Sequence, residues 1–200
     1  RFVPLPAAEQ VLGRPAWCLT ATSDGSMWVG TGQGAFQYRA GRQVRHLGDA
    51  QGLSNEDVRA IVEAPDGSLW IGTSHGLNHV QGDRITSTVD LPEVGHVDVV
   101  ISLLAEADGT LWAGTLTRGL LRLGSGSPTR FTTAHGLPTD TILSILEDDA
   151  GHLWLGTSRG VVRAAKESLE KVAHRKAVRI VGETYQRGDG LRTVECSGTV

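Results

Sequence analysis

Four tryptophans stand 42 residues apart and divide most of the chain into equal units: Trp28, Trp70, Trp112 and Trp154. Around each of them the same pattern recurs, Asp-Gly-x-x-Trp-x-Gly-Thr. The four copies are Asp24–Thr31, Asp66–Thr73, Asp108–Thr115 and Ala150–Thr157, and in the last copy an alanine replaces the aspartate. Four copies at one fixed period indicate a repeat architecture, in which each unit folds in the same way and packs on its neighbours.

Each unit reads as four short strands joined by tight turns. About ten residues before each tryptophan lies an apolar, β-prone stretch, at 16–21, 58–62, 99–104 and 141–146. The Asp-Gly pair that follows is a strong hairpin signal, of the kind in which both turn residues take positive φ. The Gly-Thr-x-x-Gly segment predicts a second reversal, and no unit carries an apolar pattern of period 3.6. A four-stranded antiparallel unit of this length is typical of a β-propeller blade.

We therefore expect an all-β chain, one propeller fragment spanning residues 1–200. The expected blades lie at about 14–49, 56–91, 98–133 and 140–186, with partial strands at 1–6 and 193–200 and one short helix near 166–174. Two assemblies are open at this point. Exposed blade faces at the two ends would drive self-association, whereas a small closed ring would bring Cys18 and Cys196 near each other.

The periodic tryptophans are best explained as structural residues. A large aromatic side chain at one fixed position fills the same gap between neighbouring blades in every repeat. The glycine two residues later lets the next backbone approach closely, and the threonine after it favours a strand.

The longer repeat pattern resembles a known family. Residues 52–77 and 136–161 each begin with Gly-Leu, continue through two spaced apolar positions to Gly-x-Leu-Trp, and then have an apolar residue followed by Gly-Thr-x-x-Gly. This pattern resembles the two-component regulator propeller repeat. The resemblance covers roughly residues 10–165, although the first copy lacks the opening Gly-Leu and the third has Val94-Gly95 in its place. Farther on, Asp189-Gly190-Leu191 and Glu195-Cys196 are similar to the start of a late blade in that family.

This resemblance implies a function. Propellers of the family form the sensing region of membrane-bound hybrid histidine kinases or diguanylate cyclases, so it implies a periplasmic module that binds a small extracellular ligand such as an oligosaccharide. Contact with a membrane would come only from other parts of the parent protein. Two alternatives remain, a protein-interaction or dimerisation platform without a small ligand and a propeller lyase, which would need a converging set of histidine and acidic residues.

Composition and motifs exclude several other classes. With 22 acidic against 19 basic residues, a net charge of −3, the chain is not expected to bind nucleic acid. Its seven histidines lack the spacing of a metal site, and we read Glu147, Asp148 and Asp149 as solvated turn residues. No nucleophile motif is present, so we predict no catalytic residue, no metal and no cofactor.

Binding residues are sought where the repeats differ. The Gly-Thr-x-x-Gly turns present Gln33, His75, Arg118 and Arg159 in successive units, and the third of these turns is one residue longer. Equivalent loops of a propeller lie on one face, and loops on a rigid scaffold often carry binding. We expect these four side chains to contact the ligand. The basic tail, with Lys166, Lys171, Arg175, Lys176 and Arg179, reads as a solvated helix face, with a docking surface as the alternative.

Overall fold

The structure is a computed structural model that describes residues 15–89, 99–124 and 127–192, without the side chains of residues 87–89. The expected partial strands at 1–6 and 193–200, together with Cys196, lie outside the described residues. Cys18 is half-buried, and burial raises the pKa of its thiol to about 11, so it stays protonated at neutral pH.

The described residues form four antiparallel sheets of four strands each. The first two sheets comprise β1 Ala16–Ala21, β2 Met27–Thr31, β3 Gly34–Arg39 and β4 Arg42–Leu47, then β5 Val58–Glu63, β6 Leu69–Thr73, β7 Gly76–Gln81 and β8 Arg84–Val89. The other two comprise β9 Val100–Ala105, β10 Leu111–Thr115, β11 Leu120–Leu123 and β12 Thr129–Phe131, then β13 Ile142–Glu147, β14 His152–Thr157, β15 Gly160–Ala165 and β16 Gly182–Tyr185.

Each sheet is a simple meander in which sequential strands pair, and its first strand forms the inner edge. The inner strands β1, β5, β9 and β13 pack side by side in that order. This is the arrangement of consecutive propeller blades, so the predicted all-β propeller architecture is confirmed. The predicted helix is also present, as α1 Lys166–Ala173 between β15 and β16.

The Asp-Gly turns differ from the expected geometry. In the Asp-Gly turn of the first sheet, Gly25 has a positive φ of 79° and Asp24 does not. The carboxylate of Asp24 instead accepts a hydrogen bond from the backbone N–H of Ser26 at 2.9 Å, and the Gly25 N–H bonds back to Thr22. The aspartate therefore recurs because its side chain closes a longer loop by accepting a backbone hydrogen bond, as Asn and Asp do in Asx turns. Only the glycine is required for its positive φ.

The seams between sheets depend on the glycine that follows each tryptophan by two positions. A Cβ built on Gly72 would lie 2.6 Å from Cγ1 and 2.9 Å from the carbonyl oxygen of Val100, on the inner strand of the next sheet. Gly30 and Gly114 face Val58 and Ile142 in the same way. Adjacent sheets thus pack backbone against side chain with no room for a methyl group.

The four tryptophans lie on the second strand of their sheets, as the period predicts. Trp28 and Trp112 are buried, with 2% and 0% of their surface exposed. Trp70 and Trp154 are half-buried. Trp70 stacks on His79 with ring centroids 4.4 Å apart. Trp154 faces away from the third sheet, on a side that no other described sheet covers.

Helix α1 and the residues after it have an exposed basic side and a buried side: Lys171, Arg175, Lys176 and Arg179 are exposed, as expected, whereas Lys166 is half-buried. Leu169 and Val172 are buried against the third and fourth sheets. Lys166 bridges two carboxylates, that of Glu106 at 2.9 Å and that of Glu147 at 2.6 Å, and so ties the third sheet to the fourth. Burial alone would lower the pKa of Lys166, but these hydrogen bonds outweigh it and raise that pKa.

The end sheets expose apolar positions that the inner sheets cover. Leu19 is 66% exposed, whereas its equivalents one and three repeats later, Ile61 and Ile145, are 7% and 6% exposed. On the other side of the array Leu146 is 67% exposed, and its equivalent Leu104 is packed against the core. At both of these repeat positions, the side chain is covered where the structure describes a neighbouring sheet on that side and exposed where it does not.

Replacing Gly72 by alanine is expected to destabilise the chain by about 1–3 kcal/mol, because the new methyl group must push the inner strand of the third sheet away. Chemical denaturation monitored by tryptophan fluorescence measures this loss. Gly188→Ala is the matched control, since nothing lies within 4 Å of a Cβ at that exposed position. Equal stability of the two variants would contradict the close-packed seam.

The 200-residue chain is expected to self-associate through its end faces, because exposed apolar patches drive association. Light scattering coupled to size exclusion should show species larger than 21.3 kDa. Leu19→Lys combined with Leu146→Lys should shift the distribution toward the monomer, while Val178→Lys, at a position 83% exposed and away from both faces, should not. A stable wild-type monomer would refute this expectation.

Candidate ligand-binding face

The turns between second and third strands are built around a buried threonine hydroxyl. In each sheet this hydroxyl donates to the carbonyl of the glycine that starts or directly precedes the third strand. It also accepts from the backbone N–H of the residue before that glycine, and these distances are 2.7–3.1 Å. The four side chains are fully buried: Thr31, Thr73, Thr115 and Thr157. Sequence reasoning explained these threonines only by strand preference and missed the turn they hold.

The glycine that closes each turn is equally constrained. Gly34, Gly119 and Gly160 have φ of 106°, 79° and 114°. A Cβ at any of them would collide with the carbonyl oxygen of the fourth strand of the same sheet. Threonine and glycine together therefore present the residue between them outward in a rigid frame.

The four predicted ligand contacts occupy that outward position, each on its own sheet, and all are exposed: Gln33, His75, Arg118 and Arg159. Their turns lie beside the segments that connect one sheet to the next. The Gly34 N–H donates to the carbonyl of Glu56, and the Gly119 N–H to that of Asp140. We call the surface formed by these turns and the connecting segments 48–57 and 132–141 the linker face.

Arginines concentrate on the half of the linker face formed by the third and fourth sheets. The Arg159 guanidinium reaches the connecting segment, where Nη1 lies 3.4 Å from the carbonyl oxygen of Pro138. Arg130 on β12, which sequence reasoning did not select, donates from Nη1 to the carbonyl of Arg118 at 3.0 Å. Arg159 therefore contacts this connecting segment, and Arg118 and Arg130 belong to the turn and strand beside it. Arginines grouped in this way suit carboxylate or sulfate groups, which the guanidinium binds in a fixed fork.

A second cluster on this face was also missed. The Cζ atom of Arg59 lies 4.2 Å from the ring centroid of Trp17, and Arg59 Nε and Nη2 donate to Asp57 at 3.0 and 2.6 Å. Ser74, in the turn next to His75, also donates to Asp57. Trp17 is 39% exposed, and it was recognisable in the sequence as the one tryptophan outside the 42-residue period.

Charge balance holds this cluster together. Burial would raise the pKa of Asp57, but hydrogen bonds from Ser74 and Arg59, the Arg59 charge and the Trp17 indole outweigh it and lower that pKa. The carboxylate thus stays ionised near neutral pH and fixes the guanidinium over the indole. An exposed aromatic beside a cation is a surface on which a sugar ring can stack and donate its hydroxyl groups to nearby acceptors.

The inner strands leave an open cleft of about 630 Å³ below this cluster, lined by Trp17, Arg59 and mainly apolar residues of β1, β5, β9 and β13. The longer turn of the third sheet places Leu116, 40% exposed, on the wall of this cleft. The extra residue therefore brings the turn that carries Arg118 to the inner edge of the sheets.

Of the acidic residues before β14, Glu147 and Asp149 are exposed, whereas Asp148 is half-buried and holds the turn. Asp148 accepts from the N–H groups of Ala150 and His152 and from the indole of Trp154 at 2.8 Å. These hydrogen bonds hold the pKa of Asp148 well below its usual range. Asp148 thus replaces the aspartate that the fourth copy lacks at position 150. Among the described residues no group of three or more metal-ligating side chains converges.

The fold and the repeated turn define a β-propeller repeat protein. Residues 52–75 and 136–159 each match the model of the two component regulator propeller. The chain therefore carries two repeats of this kind, at the positions where the motif predicted them. No curated relative matches it.

Solved structures with the same fold include extracellular domains of two component systems. The extracellular domain of the hybrid two component system BT3049 from B. thetaiotaomicron aligns with a TM-score of 0.78 and 21% identity, over 92% of this chain and 25% of that one. The extracellular domain of BT4673 from the same organism aligns with a TM-score of 0.65 and 28% identity, over 77% and 20%.

A virginiamycin B lyase from Staphylococcus aureus also aligns, with a TM-score of 0.65 and 17% identity, over 87% of this chain and 57% of the lyase. At that identity the likeness shows the fold alone. The chain spans about a quarter or less of the two extracellular domains. In the described part of the chain, no helix has the length and apolar character needed to cross a bilayer.

Thr157→Val is expected to cost about 1–3 kcal/mol of stability, because it leaves the Gly160 carbonyl and the Arg159 N–H without their buried partner. Thermal denaturation followed by circular dichroism measures the loss. The matched control is Thr184→Val on β16, an exposed position where valine suits the strand equally well. The turn would not depend on its hydroxyl if both variants melted together.

Proposed function

We propose that this chain is an extracytoplasmic, periplasmic sensing module of a membrane-bound two-component-type signalling protein, and that it binds its ligand on the linker face. The observation that carries the proposal is the pair of regulator-propeller repeats in a fold shared with extracellular domains of hybrid two component systems. The module itself contributes binding rather than catalysis, and an output domain of the parent protein would supply the enzymatic activity.

The chemistry of the linker face supports a hydroxyl-rich or anionic ligand. Arg118, Arg130 and Arg159 lie on the half of the face formed by the third and fourth sheets, while Trp17 and Arg59 offer an aromatic and a cationic surface on the other half. An acidic oligosaccharide would match both halves of the linker face, because its carboxylate or sulfate groups suit guanidinium groups and its ring faces suit an indole. To signal, the ligand must bind one conformation of the parent protein better than another.

A platform for protein association is the second candidate. It is favoured by the exposed end positions Leu19 and Leu146, whose equivalents are covered elsewhere in the array. Leu19 and Leu146 also line the cleft below Trp17 and Arg59, so the association surface adjoins the linker face. The lyase alternative has the support of a shared fold only.

Acidic oligosaccharides test the proposal directly. Tetrasaccharides derived from heparin and from polygalacturonate are titrated against the chain, with maltotetraose as the uncharged comparison, and the melting temperature is recorded. A ligand at about ten times its Kd stabilises by about 1.4 kcal/mol and raises Tm by about 3–5 °C. Arg118→Ala combined with Arg159→Ala should abolish this shift without changing the melting temperature of the free protein, as surface substitutions usually do.

The matched control is Arg84→Ala, an exposed arginine at the opposite end of a sheet, which should keep the full shift. Binding of an acidic oligosaccharide that survives loss of Arg118 and Arg159 would place the site elsewhere. Absence of any shift with both acidic probes would reject this ligand class.

A further inference from the structure

The seam between the first and second sheets repeats the seam between the third and fourth, position by position. The buried cluster at the first seam includes Trp28, Leu53, Val58, Leu69 and Ile71. Adding 84 to each number gives members of the cluster at the later seam: Trp112, Leu137, Ile142, Leu153 and Leu155. The two seams therefore offer the same groove, bordered by a tryptophan and by the second and third strands of the following sheet.

The later groove is filled by α1. Val80 on β7 corresponds to Ala164 on β15, and after it the second sheet makes a short turn through Gly82 and Asp83. The fourth sheet has α1 inserted at this point, beginning at Lys166. Leu169 and Val172 of the helix join the buried cluster that contains Trp112.

Charged groups fix α1 in its groove. Arg122, opposite Trp112 in the strand register, donates to Glu170 at 2.5 Å. Lys166 at the start of the helix reaches Glu147 at 2.6 Å. The occupant thus supplies a cation at its first turn, two apolar residues, and an acid one turn later.

The earlier groove is an open cleft of about 570 Å³. Glu63 stands where Glu147 stands, and Gln37 lies opposite Trp28 as Arg122 lies opposite Trp112. Arg45 covers the indole, with Cζ 5.9 Å from the ring centroid, and its neighbour Val44 is 56% exposed. The cleft therefore keeps one of the two acids that bind the start of α1, because Thr22 stands where Glu106 stands. It also keeps an apolar contact and has Arg39 and Arg45 in place of Arg122.

We propose that this cleft, between the first and second sheets, docks an amphipathic helix of a partner polypeptide, with the charge order of α1. A basic residue in the first turn of that helix meets Glu63, Asp24 and Asp83. Its apolar side rests on Val44 and on the alkyl stems of Arg39 and Arg45, and its acidic residue lies beside the two guanidinium groups. An amphipathic helix seated in a groove is a common mode of peptide recognition.

The arrangement of charges favours this occupant over a small anion. Asp24 is paired with Arg39, and Glu63 accepts from the backbone and hydroxyl of Ser23 at 2.8 and 2.7 Å. Asp83 lies 3.7 Å from Arg45 and is fully exposed. The cleft is lined by both acids and arginines, so a ligand of a single charge would meet repulsion, whereas a helix with both signs matches it.

The chain's own helix is the probe for this site. A fluorescent peptide of residues 165–176 is closed by a lactam between Glu167 and Lys171, whose side chains form an exposed ion pair at 2.7 Å on the outer side of α1. The lactam holds a helix that would be marginal at this length. Fluorescence anisotropy against the 200-residue chain should show saturable binding at one site.

Two substitutions locate that site. Val44→Asp should weaken binding at least about tenfold, because it puts an acid on the apolar contact. Gln37→Arg recreates the partner of Glu170 and should tighten binding by about threefold to tenfold, which a folding defect cannot imitate. The gain should disappear with a Glu170→Gln peptide, which closes a double-mutant cycle. Val178→Asp, far from the cleft and 83% exposed, is the matched control for Val44→Asp.

Several results would overturn the proposal. No binding at about 1 mM peptide would do so. Unchanged affinity of Val44→Asp would mean that the peptide displaces α1 from the later groove instead. A gain from Gln37→Arg that persists with the Glu170→Gln peptide would deny the proposed contact. None of these results bears on the oligosaccharide site, because that site uses the turns at the other end of the strands.

Discussion

The fold depends on how closely each sheet approaches the next one at a single glycine. At Gly30, Gly72 and Gly114 a methyl group would meet the inner strand of the following sheet. This approach sets the distance between sheets, and that distance leaves a gap that the indole two residues earlier fills. The glycine and the tryptophan therefore recur together, because the approach of the backbones and the filling of the gap are two parts of one packing solution.

Because the glycine and the tryptophan fix the packing between sheets, the residues at other positions can differ from sheet to sheet. The residue opposite each tryptophan in the strand register differs from sheet to sheet: Gln37, His79, Arg122 and Arg163. His79 stacks on its tryptophan, Arg163 lies over its own at 5.7 Å, and Arg122 binds α1 instead. In three of the four sheets this position thus takes part in covering the groove, by stacking, by a cation or by binding an inserted helix, whereas Arg45 covers Trp28 in the first sheet.

The two ends of the strands serve different surfaces. On the linker face, buried threonine hydroxyls and positive-φ glycines hold turns whose exposed residues are free to change without loss of packing. At the other end, the aspartate loops and the insertion of α1 shape the grooves at the seams. A ligand on one face and a partner on the other could therefore act on the same rigid set of sheets without competing for residues.

The period of the tryptophans determined the number of sheets, their strand order and the two glycine roles, because each depends on local sequence repeated at equal spacing. Sequence also placed Gln33, His75, Arg118 and Arg159 on equivalent turns. It did not reveal the cluster of Trp17, Arg59 and Asp57, whose members come together only when β1 packs against β5. Nor did it show that α1 lies across a seam, or that Asp148 takes over the role of the missing aspartate. Those features are contacts between separate repeats or departures from the repeat, and the tertiary structure decides them because a period describes only what the repeats have in common.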